Sequence, residues 1–186
     1  EIRKRAPLRW YADKPEQKKE LVKPVDDGPP EVLPPYAWGA CRSRLVDVAR
    51  ECVELGLQEV KPWGFLGDMG QAVHDNAKKH GYSVVREVGG HGVGIRFHEE
   101  PFVSYVTKRG TDMLLVPGMI FTIEPMINAG KAGISELPDG WTIVTRDRSL
   151  SAQWEHMVLV TETGVEVLTL SAGSPPRPDI VANLLP

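Results

Sequence analysis

A glycine-rich run, Gly89-Gly90-His91-Gly92-Val93-Gly94, followed by Phe97-His98-Glu99-Glu100-Pro101, constrains this chain more than any other feature. It sets two histidines seven residues apart, the first in a turn-like stretch where bare backbone can approach an ion closely. Downstream, Phe121-Thr122-Ile123-Glu124-Pro125 and Ser151-Ala152-Gln153-Trp154-Glu155-His156 each carry one carboxylate inside an apolar, strand-like run. A buried charge is expensive unless it is paired, and a metal ion is a common adequate partner. His91, Glu124 and Glu155 are therefore the candidate ligands. Their nitrogen and oxygen donors suit a divalent cation such as Mn, Fe, Co or Zn.

The rest of the chain divides by pattern. Residues 1–40 form a proline-rich arm, and seven of the sixteen prolines fall within its first 39 residues, so an extended, mostly disordered segment is expected. Its basic residues leave docking onto an acidic surface such as ribosomal RNA as an alternative to a solvated tail. From Cys41 onward Leu45, Val48, Ala49, Cys52, Val53, Leu57 and Val60 recur at helical steps, which predicts a helix ending at Pro62. Leu66, Met69, Val73 and Ala77 predict a second helix, ended by Gly81 and packed antiparallel to the first. Strands are expected over 82–88, 119–127, 141–145 and 153–161, with a closing hairpin through Thr163-Gly164 into 165–170. Residues 173–186 read as a tail.

This order gives an α+β domain over 41–172, with two helices on one face of an antiparallel sheet. A net charge of −3 makes no electrostatic case for nucleic acid as the main partner. No apolar run approaches the ~20 residues of a membrane span. Cys41 and Cys52 lie on one helix, roughly 16 Å apart at the helical rise, too far for a bridge. Free thiols and the lack of a leader-like start predict the cytoplasm.

Four motifs together resemble the C-terminal half of type I methionine aminopeptidases, from about Cys41 to about Leu170. They are Gly90-His91-Gly92-Val93-Gly94, Phe97-His98-Glu99-Glu100-Pro101, the run from Gly118 to Gly130, and the run from Thr145 to His156. The resemblance implies half of a pita-bread fold and metal-dependent removal of N-terminal methionine from peptides and nascent chains. It implies His91, Glu124 and Glu155 as metal ligands, and Glu124 also as proton carrier. It gives His98 the support of the tetrahedral oxyanion and contact with substrate, with Phe97 and Trp141 walling the methionine pocket. Related X-Pro peptidases share the first two motifs but carry Arg where Gln153 stands, so Gln153 favours the methionine branch.

The family holds two metals with five ligands, two of them aspartates on an N-terminal half that is not found in this sequence. The expectation is a chain that binds one metal at most and is impaired alone. It would self-associate or pair with a separate N-terminal half. A catalytically silent peptide- or ribosome-associated module and an X-Pro aminopeptidase are the alternatives.

Overall fold

The computed structural model describes residues 35–174, with side chains from Arg44 onward. Helix α1 spans Pro35–Glu59 and α2 spans Leu66–Lys79. The first helix thus begins inside the expected proline-rich arm. Pro35 stands at its first position, where a missing N–H costs nothing. The remainder of the arm, and the tail beyond Ser174, lie outside the described residues.

Ten strands follow, β1 (Ser83–Val84), β2 (Gly90–Gly92), β3 (Glu99–Val103), β4 (Ile120–Ile123), β5 (Met126–Asn128), β6 (Ile134–Glu136), β7 (Ile143–Thr145), β8 (Ser151–Gln153), β9 (His156–Val160) and β10 (Val165–Val167). Five of them make an antiparallel sheet in the order β10-β9-β4-β2-β3, three make β1-β5-β8, and β6-β7 is a separate hairpin. The expected α+β class is borne out.

The helices run antiparallel, with Cys52 bonded to the Val73 carbonyl and Gly56 against Met69 and Val73. Their shared face contributes Val48, Val53, Met69 and Val73 to a core completed by Phe121, Ile123, Ile127 and Val158 from the sheets. Helix α1 lies across β4, β5 and β8, so the helical layer backs the two sheets where they join.

Cys52 is buried in this layer, and burial raises its thiol from an ordinary 9.0 to about 11. The folded thiol keeps its proton longer than the unfolded one. Stability fully present below pH 9 is therefore lost as pH climbs toward 11, at up to ~1.4 kcal/mol per pH unit. In a Cys41→Ser variant, Ellman's reagent at pH 8 is expected to label Cys52 only at the rate of unfolding. Rapid labelling of the folded chain would contradict the burial.

The α1–α2 turn departs from local preference twice. Trp63 has φ +66, in the left-handed region, which costs a non-glycine residue roughly 1–2 kcal/mol. Phe65 is the N-cap of α2 and offers no side-chain acceptor; Asp68 compensates in part by accepting the Phe65 N–H at 3.3 Å.

Candidate metal centre

Two strand pairs run continuously from one sheet into the other. Chain direction carries β4 into β5 at Glu124-Pro125, and β8 into β9 at Trp154-Glu155. The register pairs Ile123 with His156 and Met126 with Gln153, so the two crossings face each other across a single seam. Proline explains the break in the first: Pro125 has no N–H for the ladder and keeps Glu124 extended. The single strand expected over 119–127 is therefore two, and the strand expected over 153–161 starts only at His156. Both candidate carboxylates sit where the sheet changes partners.

His91 enters from the other side. Strand β2 lies between β3 and β4, with Gly92 opposite Phe121, and its pairing with β3 shifts register between His91 and Gly92. A bulge of this kind re-aims a side chain. The glycine run was expected to act as a turn; instead Gly90–Gly92 is an interior strand. Gly90 serves close approach there, since a Cβ would strike the Thr122 carbonyl and the Tyr105 hydroxyl.

The resulting cluster is tightly specified. His91 Nδ1–H donates to the Gly92 carbonyl at 2.9 Å, which leaves the Nε2 lone pair free, 3.5 Å from Glu124 Oε1. Thr122 Oγ1 donates to Glu124 Oε1 at 2.7 Å and accepts the His91 N–H at 2.9 Å. Gln153 Nε2 donates to Glu124 Oε2 at 2.9 Å, and the Glu124 N–H donates to the Tyr105 hydroxyl at 2.7 Å. The Phe97 and His98 rings complete the group, with centroids 5.3 and 4.2 Å from that of His91.

Electrostatics follow from this crowding. Burial lifts Glu124 to about 7 against the hydrogen bond from Thr122, with the Glu155 charge adding to the rise and Gln153 opposing it. Glu155 is raised by the protein packed around it and drawn down by His91. His98 is lowered, first by desolvation and then by His91. Two carboxylates, each raised first by burial, beside an imidazole form an electron-rich set, and in donor chemistry it suits a divalent metal.

The three expected ligands are not drawn into one cage. Among the described residues no three His, Cys, Asp or Glu side chains converge as a metal site. His91 and Glu124 are adjacent, whereas Glu155 is exposed in the unpaired junction before β9 and lines an adjoining cavity of about 450 Å³ with Trp154 and His156. Strand alternation does not govern Glu155, because that junction is not a strand. Trp141 lies in the turn between β6 and β7, where its N–H donates to Asp139.

Sequence reasoning missed Thr122 and Tyr105, and used Gln153 only to separate branches. Thr122 had a local signal, since residues two apart on a strand share a face. Tyr105 had none.

Comparison with known proteins places this geometry. A family model, metallopeptidase family M24, matches residues 35–162. The methionine aminopeptidase of Escherichia coli (strain K12) is 51% identical over 127 residues, 68% of this chain and 48% of the relative. Methionine aminopeptidase B of Synechocystis sp. is 46% identical over 132 residues, 71% of this chain and 48% of the relative. The crystal structure of methionine aminopeptidase from Rickettsia prowazekii superposes with a TM-score of 0.69 at 45% identity, covering 70% of this chain and 53% of that one. The chain thus spans about half the length of the curated relatives it matches. Its two helices and antiparallel sheets correspond to the pita-bread architecture of these metallopeptidases. Matched over well more than half its length, the chain belongs to metallopeptidase family M24.

Proposed function

We propose that the chain contributes the C-terminal half of a methionine aminopeptidase centre, in which His91, Glu124 and Glu155 hold a divalent metal ion. The observation that carries this reading is the His91–Glu124 pair, 3.5 Å apart, with the imidazole lone pair free and both carboxylate oxygens held by neutral donors. A metal bound there would polarise the scissile carbonyl and lower the pKa of water.

The chain's own residues then have separate tasks. Glu124, at the centre of the site, takes a proton from water and returns it to the departing amine. His98, beside His91, donates to the developing oxyanion, a contact whose loss costs ~2.7–4 kcal/mol in barrier height. Phe97 and Trp141 wall the methionine side chain, with thioether–aromatic contacts of roughly 0.3–1.5 kcal/mol each. Gln153 fixes Glu124 and favours this branch over X-Pro peptidases. The free, buried Cys52 accords with a reducing compartment such as the cytoplasm.

With three of the family's five ligands, the chain alone is expected to turn over slowly. Methionine release from a Met-Ala-Ser peptide, with Mn, Co or Fe added, tests this against a Glu155→Ala control. Release that exceeds the control and spares X-Pro peptides supports the reading. Preference for X-Pro peptides would move the chain to the other branch, and folded chain without metal-dependent turnover would leave an incomplete centre.

A further inference from the structure

Trp63 and Phe65 occupy positions whose backbone favours other residue types. Trp63 stands at φ +66 yet is 62% exposed; Phe65 takes the N-cap of α2 without an acceptor and is 37% exposed. Glycine would suit the first position and Ser, Thr, Asp or Asn the second. Where a chain departs from local preference twice within three residues, function is the usual reason.

Both aromatics are held on a rigid platform. Trp63 N–H donates to the Leu115 carbonyl, Leu115 N–H to the Gly64 carbonyl and Leu66 N–H to the Met113 carbonyl. The Phe65–Leu114 bridge is antiparallel. Leu114 and Val116, two apart in the bridged segment and so on one face, are themselves exposed, so with Trp63 and Phe65 four large apolar side chains stand at this edge of the fold. The metal centre uses none of them.

We propose that this face is an interface between two copies of the chain, related by a two-fold axis. Its flanks carry opposite charges, exposed Lys61 at one end of the short ladder and exposed Asp112 at the other. A two-fold axis through the centre reverses the ends and brings Lys61 of one copy toward Asp112 of the other. An anionic membrane or a nucleic acid would call for a uniformly basic rim. The exposed parts of these four side chains amount to roughly 300 Å² of apolar surface. At the usual apolar share of about 57%, that corresponds to roughly 550 Å² per partner, or about 1,100 Å² in all, the size of a transient interface.

Sedimentation velocity of the full chain from about 5 to about 300 µM tests the proposal, across the range where an interface of this size associates. The unaltered chain is expected to move from monomer to dimer. A Trp63→Gly, Phe65→Asp double variant is expected to stay monomeric. Trp63→Gly alone supplies the residue its backbone favours, and it should weaken the dimer while melting no lower than the parent chain. Leu114→Lys, which leaves turn and cap intact, should also remain a monomer. A monomer at every concentration, or a dimer that survives these substitutions, would overturn the proposal. So would monomeric chain that co-sediments with phosphatidylserine vesicles, which would assign the face to a membrane.

Discussion

Gly90→Ala is expected to destabilise the chain by about 3 kcal/mol, the upper range for overpacking an interior position. The added methyl would meet the Thr122 carbonyl and the Tyr105 hydroxyl, both fixed by the sheet rather than carried on flexible ends. Relief requires β2 to move away from β4, and that movement separates His91 from Glu124. Urea unfolding would therefore show a lower midpoint with an unchanged slope, and metal affinity would fall in parallel. A variant with parental stability would mean that the spacing between β2 and β4 is slack, and that the glycine run has another purpose.

Tyr105→Phe is the second large effect, expected at about 2 kcal/mol. Tyr105 is fully buried, and its hydroxyl is the acceptor for the Glu124 N–H. Phenylalanine keeps the ring and its packing, so the loss is confined to the hydrogen bonds of the hydroxyl, chiefly that from the Glu124 N–H. The freed N–H belongs to the backbone that aims the carboxylate. Chemical denaturation gives the cost directly, and a value below about 0.5 kcal/mol would show that water or another acceptor takes over.

Both effects concern a level of structure that the sequence expressed unevenly. His91, Glu124 and Glu155 were legible because a charge within an apolar run is conspicuous, and because the motifs around them match a family. The helices were legible from their periodicity: Leu45 to Leu57 fall within α1, with Val60 just past its end, and Leu66 to Ala77 fall within α2. The strands were legible only as apolar segments. The 119–127 run reads as one strand, although Pro125 hands the chain from the five-stranded sheet to the three-stranded one. The 82–88 run shortens to Ser83–Val84, with the Arg86 N–H donating locally to the Glu87 carboxylate instead of to a ladder.

Partnerships across strands were the hidden part. Gln153 reaches Glu124 because β5 and β8 pair in one particular register, and nothing near Gln153 in sequence announces it. Tyr105 lies nineteen residues before the amide it accepts. The seam that sets Glu124 and Glu155 on facing crossings is likewise a product of topology. A periodicity reading runs straight through both positions and assigns Glu155 a strand face that it does not have.

The most direct measurement is a calorimetric titration of the metal-free chain with Co(II), alongside His91→Ala and Glu124→Ala. One site per chain that both substitutions abolish, with the variants still folded by circular dichroism, is the result expected of a centre built on this pair. Absence of a saturable site in the folded parent chain, or a site indifferent to both substitutions, would contradict it.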